Sequence, residues 1–64
     1  MNTNQKFLTV KELAKWLQVP KSWVYDRTYR DEIPHYKLGK LLRFDLEAIE
    51  KWLEDKKRGF SDNG

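Results

Sequence analysis

Apolar residues fall at Val10, Leu13, Ala14 and Leu17, a spacing that places them on one face of a helix. Thr9 stands before them, with Glu12 three positions on. Together they make a capping box, in which each residue's side chain accepts from the other's backbone N–H. Leu8 and Leu13 occupy the two positions of a hydrophobic staple. The pattern predicts a first helix over 10–17. "QVP" then interrupts it, because proline has a fixed φ and no N–H and suits the first turn of a new helix. A second helix is predicted from about Pro20 or Lys21 to Arg30. After it, Asp31 suits a left-handed cap, and Pro34 prevents further helix.

Two short segments, "HYKL" and "LLRF", flank Gly39 and predict a β-hairpin. If Tyr36 and Leu38 face inward with Leu42 and Phe44, the loop is Gly39-Lys40-Leu41, and Lys37 and Arg43 point outward together. A two-residue loop is the alternative. A third helix follows Asp45, a candidate N-cap, with Phe44 and Ile49 placed as a second staple. Leu46, Ile49 and Leu53 form its buried stripe, with Trp52 at the edge and Glu47, Glu50, Glu54 and Asp55 on a solvated face. The expected fold is α+β, mainly α. It is a small winged helix-turn-helix, with two helices about three residues apart, a two-stranded β-hairpin wing and a C-terminal helix. Residues 8–55 are expected to be the domain, between a flexible 1–7 and a flexible tail, 56–64.

A chain of 64 residues is one domain with a modest core and little room for an enclosed catalytic cleft. It has no cysteine, so a disulfide framework and a Cys-based zinc site are excluded. His35 is the only histidine and has no partners in a metal-binding or nucleophile pattern. The chain is therefore read as not an enzyme, with no cofactor and no metal, and His35 as a surface residue near a phosphate. No apolar run approaches a membrane span, and "MNTNQKF" has no signal-peptide core, so a cytoplasmic location without membrane contact is expected.

Charge changes the picture more. Residues 1–44 carry nine Lys/Arg against four Asp/Glu, whereas residues 45–64 carry four against six. The basic excess favours a polyanionic partner for the first two-thirds. On a helical wheel of the second helix, Val24 faces the first helix. Lys21, Ser22, Tyr25, Asp26 and Tyr29 point outward, with Arg30 at the trailing edge. The start of such a helix enters the DNA major groove. Lys21 suits a guanine edge or a phosphate, Ser22 a base or the backbone, and Tyr25 a thymine methyl or a phosphate. Asp26 is disfavoured near phosphates and is expected to position Arg30, four residues on, in preference to reading cytosine. Arg27 is expected to pack its stem and extend its head to a phosphate or to Asp26. Trp23 is expected to pack on the hairpin or the tail. Lys37, Lys40 and Arg43 make a basic wing that lies along the backbone or in the minor groove. In the tail, Lys56, Lys57 and Arg58 offer further contacts to phosphate or to a neighbouring subunit.

"LTVKELAKWL", "VPKSWVY", "IPHYKLG", "LRF" and "AIEKWL", in this order across residues 8–53, resemble the excisionase-type helix-turn-helix domain, a MerR-like winged helix. The resemblance implies sequence-specific binding of double-stranded DNA. Helix contacts would come from Lys21, Ser22, Tyr25 and Asp26, with Arg30 nearby, and wing contacts from Lys40 and Arg43. It also implies a role in phage or integrative-element recombination, with an integrase as partner, or a role as a small transcription regulator. The sequence departs from the family pattern at Pro20, where serine is usual, at Arg27, where an apolar residue is usual, at Asp26, where a base is frequent, and at Asp31, where glycine is frequent. A single reading head binds weakly, so further copies on adjacent sites are expected to supply affinity. A competing class is a protein-interaction module built on Trp16, Trp23 and Trp52.

Overall fold

The computed structural model describes residues 6–57. In chain order they form β1 (Phe7–Leu8), α1 (Val10–Leu17), α2 (Lys21–Tyr29), β2 (Tyr36–Leu38), β3 (Leu41–Asp45) and α3 (Leu46–Lys56). The three strands make an antiparallel sheet in the order β1-β3-β2. The architecture is the expected α+β winged helix-turn-helix, with one strand more than the sequence pattern predicts. The tail beyond Lys57, including Arg58, lies outside the described residues, whereas Lys56 closes α3.

Local chemistry sets the helix ends. Thr9 Oγ1 accepts from Glu12 N at 3.1 Å, and Glu12 Oε1 accepts from Thr9 N at 3.0 Å, which completes the capping box of α1. At the other end Gln18 takes a left-handed conformation (φ 62°, ψ 46°). Gln18 N donates to Lys15 O and Val19 N donates to Ala14 O, the paired bonds of a Schellman motif. The same motif ends α2. Asp31 is left-handed (φ 59°), its N–H donates to Thr28 O, and Glu32 N donates to Arg27 O at 2.8 Å. Pro20 is the N-cap of α2 and not its first helical residue, with φ −69° and ψ 154°. Its ψ is extended, so the chain enters the helix one residue later than a proline in the first turn would allow.

The core is Leu8, Val10, Leu13, Ala14, Val24, Ile33, Phe44 and Ile49. The residues of both staples, Leu8 with Leu13 and Phe44 with Ile49, belong to this cluster. Asp45 does occupy the N-cap of α3, but its side chain makes no capping bond. Separately, Leu46 N donates to Lys6 O at 3.0 Å, so the strand entering β1 satisfies the first donor of α3. Phe7 therefore belongs to the fold and not to the N-terminal segment.

The hairpin register differs from the favoured expectation. Tyr36 pairs with Arg43, Lys37 with Leu42 and Leu38 with Leu41, leaving a two-residue turn, Gly39-Lys40. Gly39 has φ 65° and Lys40 does not have a positive φ, the pattern of a type II′ turn, whose twist suits antiparallel strands. Tyr36, Leu38, Leu41 and Arg43 consequently share the outer sheet face, while Leu42 and Phe44 face the helices. Lys37 sits opposite Leu42, so Lys37 and Arg43 lie on opposite faces and not together. The outer face gains an aromatic pair across β3, with the Phe7 and Tyr36 rings 5.5 Å apart.

Candidate nucleic-acid interface

Only Val24 of α2 is buried. The rest of the helix presents three surfaces. Lys21, Tyr25, Thr28 and Tyr29 face the wing. Trp23 and Arg27 face α3. Ser22 and Asp26, continued four residues on by the C-cap residue Arg30, form the ridge between these two flanks.

Between α2 and the wing run two adjoining grooves. The first, about 250 Å³, is lined by Thr9, Val10, Lys11, Lys21, Tyr25, Lys40, Leu41, Leu42 and Arg43. The second, about 470 Å³, is lined by Tyr25, Thr28, Tyr29, His35, Lys37, Lys40 and Leu42. Tyr25, Lys40 and Leu42 border both. The structure thus brings Lys21, Tyr25, Lys37 and Lys40 to the grooves between α2 and the wing, with the sheet register turning Lys37 toward α2, whereas Arg43, on the other sheet face, borders only the first groove. Tyr29 is 90% exposed and Tyr25 52%. Thr28 Oγ1 donates back to Tyr25 O at 2.8 Å, so that hydroxyl is occupied within the helix. Arg43 Nη1 donates to Leu42 O at 2.8 Å, which holds the guanidinium against the wing's own backbone.

The sequence pattern did not single out Lys11 for this face. Its signal was its place just after the Thr9 cap, on the first turn of α1, which abuts the start of α2. His35 also lines the groove. Its Nδ1 lies 2.7 Å from Ile33 O, a contact that requires Nδ1 to carry the proton and leaves Nε2 as the other ring nitrogen.

Asp26 is tied to Arg30 as expected, with Arg30 Nε 3.2 Å and 3.1 Å from its two oxygens. Arg27 Nη1 also approaches it, at 3.3 Å, and lies 3.5 Å from Glu32 Oε1. The Arg27 guanidinium further stacks over the Trp23 ring at 4.7 Å. Arg27 therefore reaches Asp26, one of the two ends expected for it, and is directed away from the wing grooves. Trp23 does not pack on the hairpin. It lines a separate groove of about 760 Å³ between α2 and α3, with Leu17, Val19, Arg27, Glu32, Trp52, Leu53 and Lys56. Trp52 Nε1 donates to Glu32 O at 3.1 Å and ties α3 to the end of α2. This groove is the larger one, but its rim cations sit over tryptophan rings, Arg27 over Trp23 and Lys56 over Trp52 at 5.2 Å, and it is not the basic face.

A family model described as a helix-turn-helix domain matches residues 7–57, most of the chain. The chain belongs to the helix-turn-helix domain family. Neither a curated protein nor a solved structure matches it. The match begins at Phe7, the residue at which β1 begins, and ends just past α3. Membership in the helix-turn-helix family makes α2 the second helix of the motif, the one such domains present to DNA. No helix of the described residues is long and apolar enough to cross a membrane.

Proposed function

We propose that this helix-turn-helix protein binds double-stranded DNA in a sequence-specific manner as an excisionase-like factor of a phage or integrative element. α2 enters the major groove, and the β2–β3 wing lies at the minor groove or the adjacent backbone. One observation carries the reading. Lys11, Lys21, Lys37, Lys40 and Arg43, from four different elements and the wing turn, line two adjoining grooves beside Tyr25 and Tyr29. Cations brought together from separate parts of the chain match a phosphate backbone that runs along the wing side of an inserted helix. Lys21, Ser22 and Tyr25 supply the helix contacts, with Asp26 and Arg30 on the ridge. Lys37, Lys40 and Arg43 supply the wing contacts. The proposed contact set leaves out Arg27, whose head is held by Asp26, Glu32 and Trp23. The excision role rests on the resemblance of residues 8–53 to excisionase-type domains. A lone recognition helix also needs an integrase or adjacent copies to reach useful affinity.

The test is capture of sheared genomic DNA by the purified protein, followed by sequencing and a salt titration on an enriched fragment. If all five cations meet phosphates, the slope of log K against log salt is about −4 to −5, and Lys40→Ala makes it shallower by about 1. Sites at the ends of integrated elements support excision, and sites at promoters replace it with transcription regulation. No enrichment at low salt overturns the DNA reading, and binding that ignores salt points to an apolar protein contact.

A further inference from the structure

We infer that Arg30 is a base-reading residue that selects guanine in the major groove, and that Asp26 is the positioning residue that aims it. The inference rests on α2 being the recognition helix. Ser22 and Asp26 of α2, with its C-cap residue Arg30, lie on the side away from Val24, the side a recognition helix turns toward the major groove.

The bonding pattern within the ridge is specific. Both Asp26 oxygens converge on Arg30 Nε, at 3.2 Å and 3.1 Å. Nε carries one N–H, and the carboxylate uses it while leaving the two Nη groups without a hydrogen-bond partner among the described residues. Those two groups form the planar fork that matches guanine O6 and N7. The fork is held on a side chain that is otherwise long and mobile, so less rotamer freedom is lost on contact.

The neighbouring charges explain why Arg30, and not Arg27, takes this role. Arg27 Nη1 is shared between Asp26 and Glu32, its guanidinium lies over Trp23, and its side chain is 32% exposed. The Arg30 side chain is 58% exposed. Two guanidiniums flank the Asp26 carboxylate, which offsets its repulsion from nearby phosphates. An acid in the middle of a recognition helix is thereby compatible with DNA.

Selection from randomised duplexes followed by sequencing tests this, using wild type, Arg30→Lys, Arg30→Ala, Asp26→Asn and Lys40→Ala, each checked for folding by circular dichroism. The wild-type consensus should contain a guanine preferred by about tenfold or more. Arg30→Lys and Arg30→Ala should flatten that position alone, because a lysine lacks the fork. Asp26→Asn should weaken the same position partly, since the fork is present but no longer aimed. Lys40→Ala should lower affinity for all sequences alike. A uniform loss with Arg30→Ala would make Arg30 a phosphate contact and overturn the inference. So would an Asp26→Asn effect confined to a cytosine that Arg30→Ala leaves unchanged, because Asp26 would then read the base directly. If wild type enriches no sequence, the DNA-binding reading fails, and this inference fails with it.

Discussion

Replacing Gln18 by glycine should stabilise the protein, although glycine usually weakens a fold. Gln18 sits in the turn between α1 and α2 at φ 62° and ψ 46°. An L-residue with a Cβ is strained there by about 1–2 kcal/mol. Its side chain is exposed and makes no hydrogen bond among the described residues, so removing it loses no contact. The Schellman bonds from Gln18 N and Val19 N are backbone bonds and survive the change. Against the relief of strain stands the greater freedom of glycine in the unfolded chain, about 0.4–1 kcal/mol. The net gain is about 0.5–1 kcal/mol, or a Tm rise of about 3–6 °C for a domain of this size. Asp31 at φ 59° is the internal control. Aspartate tolerates the left-handed region better than glutamine, so Asp31→Gly should gain less. Thermal melts and urea titrations by far-UV circular dichroism measure both, and an unchanged m-value would show that only stability has moved. A Gln18→Gly protein that melts at or below the wild-type temperature would refute the strain argument.

Thr9→Ala removes the half of the capping box in which Thr9 Oγ1 accepts from Glu12 N, and leaves the backbone N–H that donates to Glu12, so it should cost about 1 kcal/mol, while Thr9→Ser should retain most of the stability. An equal melting temperature for all three proteins contradicts that assignment. Gly39→Ala meets no atom within 4 Å of the added Cβ, so its cost is backbone strain alone, about 1–2 kcal/mol. Amide exchange should quicken first in β2 and β3, and a D-alanine at position 39, made by semisynthesis, should restore protection. Equal loss with either enantiomer would mean that the turn does not depend on the sign of φ.

Features governed by neighbours in sequence were legible. The α1 cap, both staples and the left-handed Asp31 each depend on residues within five positions, and the structure has all of them. Features governed by distant pairing were not. The hairpin register followed from placing the most apolar residues inward, and that placed Tyr36 and Leu38 on the wrong face. The actual sheet has a third strand, and Phe7 gives Tyr36 an aromatic neighbour on the outer side. A two-residue turn at Gly39 then suits both local φ and strand twist. The same missing strand hid a bond at the start of α3, where Lys6 O accepts from Leu46 N. For the interface, the outward set on α2 was legible from the wheel, whereas Lys11 and the orientation of Lys37 needed tertiary contacts and register.

The division of α2 has a consequence for how stability and recognition relate. A helix that buries only Val24 contributes little to the core, so its position must be held by its surroundings. α1 packs against it, the Schellman bonds fix its end, and Trp52 Nε1 ties Glu32 O, just beyond it, to α3. None of these supports uses the side chains of Ser22, Tyr25 or Tyr29, or the Nη groups of Arg30. Substitutions there remove exposed groups and should change stability by no more than about 0.5 kcal/mol. The Asp26–Arg30 pair is itself half-exposed, so its own contribution to folding is about 0.3–0.5 kcal/mol. A loss of base preference in these variants would therefore report on recognition and not on unfolding. This separation makes substitutions on the wing-facing and ridge surfaces of α2 a direct test of the proposed contacts.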